Sequence, residues 1–473
     1  MLDISAIYTD LYQLTMAQVY FKTKPKSTAV FDYYFRNNPF NGGYTIFAGL
    51  ENILDIIENL RFTDTDIDYL KSHGFEADFL EYLRNFRFYG SICSAAEGDI
   101  VFPNRPVLQV EGCIMEVQIV ETVLLNILNF QTLIATKANR IRHSAGDKVL
   151  LDMGLRRAHA TGGYYASRAA AIGGFDSTSN VKAAEDFNIP SSGTMAHSFI
   201  QSYVDELEAF RDFAEFRPNN CVFLVDTYNT LKSGMPNAIT VAKEMESRGR
   251  RLFGVRLDSG DLAYLAKRTR KMLDDNGLEY VKIVASNQLD EYVIKSLNEQ
   301  NAPIDIFGVG TNLVTGKPDA ALDGVYKLSE YNGEPRLKLS ENIIKVSLPS
   351  KKQVYRMIDQ NGMFYGADVI GLVSEAVPAG RQEKITQMFH PFDANKNLNL
   401  QNFEHEPLLS EVMTNGKRTI EKRTVAEIAE YAKARLALLP EEYKRFQNPH
   451  IYKIGLSAKL KNERDRLIAE HTF

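Results

Sequence analysis

Short apolar runs alternate with amphipathic stretches from Val149 to about Thr315, and this alternation constrains the fold of the chain most tightly. The apolar runs, in order, read VLLDM, GTMAHSF, CVFLVDTY, RLFGVRLD, VKIVASN and IDIFGVGT. The stretches between the later runs carry apolar residues at helical spacing and read AITVAKEMESRG, LAYLAKRTRKMLDDNG and LDEYVIKSLNEQ. Asp261 and Gly277 suit the N-cap and the C-cap of the second of these helices. Strands and helices that alternate in this way predict an α/β fold with a parallel sheet, either open or closed into a barrel.

The segment before this region has a different pattern of apolar and polar residues. Residues 1–145 predict an α+β domain with four strands, which read AVFDYYFRN, GYTIFAGL, FRFYGSICSA and PVLQVEG. A long helical pattern follows from about Glu116 to Ala145. Residues 146–320 are then expected to form the α/β core.

Residues 321–473 are expected to add strands and helices that complete the N-terminal domain and the barrel. A hairpin is predicted at Asn332-Gly333, because this dipeptide suits a tight turn between strands, and further strands follow it. Thr424 and Glu427 form a capping-box pattern at the start of a helix. The basic tail is expected to end in a solvated helix.

Composition limits the class of protein. The chain has 473 residues, of which 44% are hydrophobic, and this is ample for a large core in about two or three domains. The formal net charge of −5 argues against a protein that coats nucleic acid or an anionic membrane. Three widely spaced cysteines favour neither a disulfide framework nor a CxxC metal site. With no basic leader and no long apolar run, we expect a cytoplasmic protein that does not cross a membrane.

Polar residues or glycines follow each apolar run. In order they are Arg156 and Arg157; Ser177, Thr178 and Ser179; Thr194 and His197; Asp226; Arg256, Asp258, Ser259 and Gly260; Ser286 and Asn287; and Gly308, Gly310 and Thr311. Parallel α/β folds bind ligands at the carboxyl ends of their strands. No single one of these groups is specific, but their repetition predicts a ligand site at this edge of the sheet.

Two of these groups suggest phosphate chemistry. GVGTN, directly after a strand, is typical either of a nest of backbone N–H groups around a phosphate or of a tight turn with positive φ. In RLDSGDL, Asp258 is expected to face a ligand directly or through Mg²⁺, and Asp261 to cap the helix. The stretch SSGTMAHSFIQ places His197 among small and hydroxyl residues, and on that stretch alone a hydrogen-bonded core histidine is the better interpretation.

The motifs together resemble those of the nicotinate phosphoribosyltransferase family. In order they read TDLYQLTMA, MGLRRAH, GGFDSTSN, GTMAHSF, LVDTY, GVRLDSGDL and GVGTN. The resemblance runs from Thr9 to about Leu328, and the tail motif LPEEYKRFQNPH is also similar. It implies a type II phosphoribosyltransferase fold, in which a sandwich-like α+β domain precedes an irregular, incomplete α/β (TIM-like) barrel. It also implies a homodimer with active sites at the subunit interface.

The activity implied by the resemblance is that of an ATP-dependent enzyme of the ligase class. Its substrates would be nicotinate, phosphoribosyl pyrophosphate and ATP, and its products nicotinate mononucleotide, pyrophosphate, ADP and phosphate, in NAD biosynthesis. His197 would be phosphorylated by ATP, and Asp226 is the candidate that orients its ring. The resemblance also implies that Tyr12 of the neighbouring subunit stacks on the pyridine ring and that Arg256 lies near nicotinate and the ribose. The other implied roles are Arg156, Ser179 and Thr194 at the substrate; Asp258 at the ribosyl diphosphate and its Mg²⁺; and Ser259, Gly260, Ser286, Asn287, Gly310 and Thr311 at phosphate groups.

Other functions remain open at this stage. A nicotinamide phosphoribosyltransferase is similar but carries an aspartate in place of Ser179, which would accept the amide of nicotinamide and repel the carboxylate of nicotinate. A quinolinate phosphoribosyltransferase would need a denser basic pocket. A sugar-phosphate aldolase would need a lysine at a strand end, whereas Lys282 lies within a strand. A catalytically silent metabolite-binding protein is disfavoured, because the following residues are all intact: Thr194, His197, Asp226, Arg256 and Asp258.

Overall fold

The computed structural model describes residues 4–341, 346–375, 387–393 and 395–471. The chain divides into two compact units. The first consists of Met1–Thr136, Ala321–Arg423 and Glu430–Phe473, and the second of Lys137–Ala320 and Thr424–Ala429. The chain therefore leaves the first unit, builds the second, and returns to the first.

The N-terminal part contributes helices and the first strands of the first unit, and its last helix continues past Thr136 into the residues of the second unit. Its elements are α1 (Leu11–Thr23), β1 (Thr28–Phe35), β2 (Thr45–Ile46), α2 (Leu50–Asn59), α3 (Asp64–Ser72), α4 (Ala77–Arg84), β3 (Ser91–Ser94), β4 (Ile100–Val101), β5 (Leu108–Cys113), α5 (Ile114–Ile119) and α6 (Glu121–Ala145). All four predicted strands are present, although GYTIFAGL pairs only over two residues before α2 begins. The single long helix predicted near Glu116 is instead two consecutive helices, α5 and α6.

The second unit alternates strands and helices as the sequence predicts. Its elements are β6 (Val149–Asp152), α7 (Ala160–Ile172), β7 (Ser177–Thr178), α8 (Val181–Phe187), α9 (His197–Gln201), α10 (Glu206–Phe216), β8 (Val222–Leu224), α11 (Met235–Ser247), β9 (Gly254–Leu257), α12 (Leu262–Asp274), β10 (Lys282–Ser286), α13 (Glu291–Glu299), β11 (Ile306–Val309) and α14 (Thr311–Val314). The predicted cap is present, since the Asp261 side chain accepts from the backbone N–H of Tyr264 at the start of α12.

The six strands of the second unit form one parallel sheet in the order β7-β6-β11-β10-β9-β8. The predicted α/β fold is confirmed. Within the part of the chain that the structure describes, no ladder joins β7 to β8, so hydrogen bonds do not close this sheet.

One predicted strand is wrong. GTMAHSF forms no strand; it runs as irregular chain into α9, which begins at His197. Glycine and alanine are poor strand formers, so the segment has little tendency to pair. The edge of the sheet is supplied instead by Ser177 and Thr178, and only an isolated bridge joins Thr178 to Ser191.

The two faces of this sheet differ in chemistry, because side chains alternate along each strand. On one face Phe223, Val255 and Phe307 are fully buried, and Phe223 stacks on Phe210 of α10 with ring centroids 4.6 Å apart. On the other face Val222, Val284 and Ile306 form a small apolar cluster. Arg256 pairs with Val284 in register and therefore shares this second face, towards the carboxyl ends of the strands.

The C-terminal part returns to the first unit and pairs with its early strands, while one of its helices begins among the residues Thr424–Ala429 of the second unit. Its elements are β12 (Gly324–Tyr331), β13 (Glu334–Pro335), β14 (Lys352–Asp359), β15 (Phe364–Leu372), β16 (Gln387–Phe389), β17 (Asn397–Asn399), β18 (Phe403–Pro407), β19 (Ser410–Thr414), β20 (Lys417–Arg418), α15 (Val425–Ala437), β21 (Lys453–Leu456) and α16 (Ala458–His471). The predicted hairpin is confirmed, with Asn332 and Gly333 at φ 50° and 77° between β12 and β13. The predicted capping box is confirmed as well, since Thr424 N donates to Glu427 and Glu427 N to Thr424 Oγ1.

Over the residues described, the strands of the first unit form three sheets. The largest has the order β13-β12-β1-β5-β3-β19-β20, a second has the order β17-β16-β21-β15-β14-β18, and β2 pairs with β4. The predicted helical end of the basic tail is α16. Among the described residues, every helix is too short or too polar to span a bilayer.

Candidate active site

His197 contacts a buried carboxylate at the carboxyl edge of the parallel sheet. Its Nε2 lies 3.2 Å from Oδ1 of Asp226, which follows β8. The Asp226 side chain is 1% exposed and the His197 side chain 39%, so the ring is open to a ligand while its partner is not. A carboxylate only accepts hydrogen bonds, and therefore Nε2 carries the proton and a neutral ring has its lone pair on Nδ1.

The second oxygen of Asp226 is also held. Oδ2 accepts from the hydroxyl of Ser259 at 2.6 Å and from the backbone N–H of Asp258 at 3.0 Å. Both donors lie just after β9, so Asp226 joins the ends of β8 and β9. These bonds fix the carboxylate, and the carboxylate in turn fixes the orientation of the His197 ring.

Arg256 connects three segments of the site. Its Nε donates to Ser286 Oγ at 2.8 Å, one terminal nitrogen donates to Thr194 Oγ1 at 3.1 Å, and the other donates to Asp258 Oδ1 at 2.8 Å. Ser286 also donates to the same oxygen of Asp258. The Arg256 side chain is only 13% exposed, and its three hydrogen bonds hold the charge in a fixed position. We call Thr194, Arg256, Asp258 and Ser286 the arginine cluster.

Asp258 has a carboxylate oxygen available to a ligand. Its side-chain hydrogen bonds within the described residues both end on Oδ1, and the side chain is 26% exposed. The described ranges hold no group of three or more His, Cys, Asp or Glu side chains that could enclose a metal. A cation here would need ligand oxygens beside Asp258, and this is the coordination that Mg²⁺ commonly adopts. The residues present therefore fit Mg²⁺ held partly by a substrate.

The loops after β10 and β11 form the other side of the edge. Asn287 and Gln288 have φ values of 82° and 51°, so the chain turns through the left-handed region directly after β10. Asn312 donates to the carbonyls of Gln288 and Leu289 at 3.2 and 3.0 Å, which ties the two loops together. The structure thus brings the Ser286–Asn287 and Gly310–Thr311 segments to neighbouring strand ends.

The other residues that the sequence predicts for the site have the following positions. Arg156 and Arg157 are exposed in a 3₁₀ turn, Leu155–Arg157, and Ser179 is half-buried just after β7. Ser259 and Gly260 are exposed, and Gly260 has φ 77°. Tyr12 belongs to the first unit, where it is 49% exposed on α1.

One polar residue of this edge was not predicted from the sequence. Asp152, the last residue of β6, is 1% exposed and accepts hydrogen bonds from Ser167, Thr178 and the N–H of Gly154. Burial raises the pKa of its carboxyl, and the hydrogen bonds partly offset this rise. A signal was present, because an acidic residue ends VLLD as it ends FLVD and VRLD.

A parallel sheet with these polar groups at its carboxyl edge places the second unit in the class of α/β folds that commonly bind ligands at the strand ends. Comparison with known families makes the class specific. Three family models match: the nicotinate phosphoribosyltransferase (NAPRTase) N-terminal domain over residues 7–129, the NAPRTase family over residues 149–370, and the nicotinate phosphoribosyltransferase C-terminal domain over residues 351–464.

Proteins of similar sequence or structure match this chain over nearly its whole length. Nicotinate phosphoribosyltransferase of Bacillus subtilis is 46% identical over 96% of this chain and 93% of its own, and the Homo sapiens enzyme is 33% identical over 96% and 95%. The crystal structure of human nicotinic acid phosphoribosyltransferase superposes with a TM-score of 0.87 at 31% identity, over 97% of this chain and 99% of that one. The nicotinate-nucleotide pyrophosphorylase of Pyrococcus furiosus has a TM-score of 0.70 at 26% identity, over 91% and 95%. The chain belongs to the nicotinate phosphoribosyltransferase family, as its motifs indicate.

Proposed function

We propose that this chain transfers the 5-phosphoribosyl group of phosphoribosyl pyrophosphate to nicotinate, giving nicotinate mononucleotide and pyrophosphate in NAD biosynthesis. The observation that carries the proposal is the arginine cluster, in which one guanidinium contacts Thr194, Asp258 and Ser286. Membership of the family supplies the reaction type. We place the reaction in the cytoplasm, which suits the three free cysteines.

The transfer needs charge stabilisation more than a covalent sugar intermediate. The bond between the ribose C1 and the pyrophosphate oxygen breaks, and the pyridine nitrogen forms a new bond to that carbon. Positive charge develops on the sugar and negative charge on the leaving group. Arg256, held near the pyridine and the ribose by its three partners, offers a fixed cation for the developing negative charge, and this cation needs little reorganisation. Asp258 would serve the diphosphate through Mg²⁺.

ATP coupling through His197 is the second part of the proposal. Nδ1 of His197 would attack the γ-phosphorus of ATP, the bond from that phosphorus to the bridging oxygen would break, and ADP would leave. The Nε2 proton would stay in its hydrogen bond to Asp226, which stabilises the ring as it gains the phosphoryl group. Water would later hydrolyse the phosphohistidine and release phosphate.

We assign different residues to the 5′-phosphate and to the diphosphate of phosphoribosyl pyrophosphate. We assign the 5′-phosphate to Ser286, Asn287, Gly310 and Thr311, because they lie at the carboxyl ends of the neighbouring strands β10 and β11, where parallel sheets bind ligands. We assign the diphosphate to Asp258, with Ser259 and Gly260 beside it. Mg²⁺, when bound at Asp258, would neutralise diphosphate charge.

We propose that Ser179, with Arg156 and Arg256, selects nicotinate over nicotinamide. A pyridine carboxylate taken into the site needs donors or positive charge, since an unpaired buried charge is costly. The arginines supply the charge, and the Ser179 hydroxyl donates without opposing it. Tyr12 would stack on the pyridine ring from the neighbouring subunit of a homodimer.

Product analysis by mass spectrometry, with nicotinate and nicotinamide in competition, tests this function. We expect nicotinate mononucleotide to dominate and to need phosphoribosyl pyrophosphate. Ser179→Asp should lower kcat/KM for nicotinate by about two decades, because a second carboxylate repels the first, and should leave nicotinamide little affected. Ser179→Asn is the matched neutral control. Nicotinamide mononucleotide as the main wild-type product would favour the alternative, a nicotinamide phosphoribosyltransferase.

A further inference from the structure

Asp152 lies where two loops of the candidate active site leave the sheet. Its Oδ1 accepts from the N–H of Gly154 at 2.8 Å, at the start of the turn that carries Arg156. Its backbone carbonyl accepts from the N–H of Ser179 at 2.8 Å. One residue therefore contacts both the Arg156 turn and the Ser179 loop.

The other carboxylate oxygen reaches a buried hydroxyl pair. Oδ2 accepts from Ser167 Oγ of α7 and from Thr178 Oγ1 of β7, both at 2.7 Å. Thr178 in turn accepts from the N–H of Asn180 at 3.1 Å, so the hydroxyl pair also fixes the chain on the far side of Ser179. We call Asp152, Ser167 and Thr178 the β6 anchor. All three residues are about 1% exposed.

The anchor has no counter-ion in the described part of the chain, where every donor to Asp152 is a hydroxyl or a backbone N–H. A buried carboxylate without a cation is unfavourable for stability alone, since apolar packing would avoid its desolvation. Its donors all lie on segments that lead to the predicted substrate residues. That placement suits a group whose purpose is to hold two loops at a fixed spacing.

We propose that Asp152 is a positioning residue for the pyridine substrate, which holds Arg156 and Ser179 at the spacing that accepts the pyridine carboxylate. This inference rests on the proposed function, because Arg156 and Ser179 are its pyridine contacts. The inference gives the β6 anchor no role at the loops after β10 and β11, to which we assign the 5′-phosphate. Loss of the anchor should therefore affect the binding of nicotinate much more than that of phosphoribosyl pyrophosphate.

The test is a comparison of KM values in Asp152→Asn and Thr178→Val. An amide nitrogen cannot accept a hydrogen bond, so the Asn variant keeps the shape of the anchor and loses part of its bonding. We expect KM for nicotinate to rise about ten-fold, the size expected when a buried hydrogen bond is lost, and KM for phosphoribosyl pyrophosphate to change less than about two-fold. Thr178→Val decides the question if Asp152→Asn does not fold.

A matched control separates positioning from general stability. Asp176 precedes β7 and accepts from the N–H of Leu150 in β6 at 2.7 Å, so Asp176→Asn weakens the same pair of strands away from the loop ends. It should lower the unfolding midpoint and leave both KM values unchanged. If the anchor variants raise both KM values equally, or only lower the midpoint as the control does, the inference is overturned.

A double variant tests whether Asp152 acts through Ser179. Asp152→Asn combined with Ser179→Ala should have about the same KM for nicotinate as the more affected single variant, whereas additive effects would overturn the inference. Failure of the proposed function can be distinguished from either outcome of this double-variant test. In that case the wild-type chain itself would form no nicotinate mononucleotide.

Discussion

His197 has one ring nitrogen left for an incoming phosphoryl group, because Nε2 is hydrogen-bonded to Asp226. We therefore predict that ATP phosphorylates Nδ1. Incubation with γ-labelled ATP should give an acid-labile, base-stable label, and phosphorus–proton correlation spectra of the phosphoenzyme should place it on Nδ1. A label on Nε2 would show that the contact with Asp226 breaks before transfer.

His197→Ala is the control for the site of labelling. It should carry no label, and label that persists would reject His197 as the acceptor. The variant should keep some ATP-independent turnover, since the arginine cluster does not involve His197. A loss of about 2–4 kcal/mol in transition-state stabilisation would match the removal of one important electrostatic group.

The segment between β8 and α11 has to pass close under the end of β8, and Gly234 makes this possible. A Cβ atom at Gly234 would overlap the carbonyl oxygen of Val225, which directly precedes Asp226. A backbone carbonyl cannot move away from a new methyl group as the end of a flexible side chain can. Gly234→Ala should therefore shift the end of β8 and lower the free energy of unfolding by about 1–3 kcal/mol, as overpacking does. Denaturant titration measures this change.

Gly193 supplies the matched control for that prediction. The same glycine-to-alanine change there adds a methyl group to open space, with no heavy atom within 4 Å. We expect Gly193→Ala to change the free energy of unfolding far less than Gly234→Ala. Equal effects of the two variants would mean that the approach to Val225 is not what requires glycine at position 234.

The elements that could be predicted from the sequence carry strong local signals. The Asn332-Gly333 turn, the capping box at Thr424 and the Asp261 cap are fixed by residues within a few positions of each other, and all three are present. The alternation of β and α units is a regional pattern and was also sufficient to predict the parallel sheet.

The elements that could not be predicted depend on distant partners. The strand of Ser177 and Thr178 has two residues, too few for any periodicity, and exists because β6 and the β6 anchor hold it. GTMAHSF has apolar residues but only weak strand propensity, and its neighbours leave it unpaired. Asp152 was passed over because its partners, Ser167 and Thr178, lie 15 and 26 positions away.

At the scale of the molecule, the first unit is assembled from both ends of the chain. β1 pairs with β5 on one side and with β12 on the other, and the partner of Ala29 in β12 is Tyr331. A pairing between such distant segments leaves no recognisable pattern in the sequence of either segment alone. They do mean that Tyr12, on α1, belongs to the unit that contains the C-terminal strands, and His197 to the other.

Complementation between subunits tests the proposed homodimer and the place of Tyr12 in it. We expect Tyr12→Ala and His197→Ala homodimers each to be strongly impaired. If Tyr12 serves the site of the neighbouring subunit, a mixed dimer holds one site with both changes and one with neither. Random mixing makes about half of the dimers mixed, so about a quarter of all sites should be intact.

The measurement is the activity of the two variants unfolded and refolded together, compared with each refolded alone. Two different affinity tags allow the mixed dimers to be purified, which shows that subunits have exchanged. If each subunit instead builds its own site, every site in a mixed dimer carries one of the two changes. Purified mixed dimers with no more activity than the parents would therefore reject the shared site, whereas a rise towards half the wild-type activity can only come from a Tyr12 that acts across the subunit boundary.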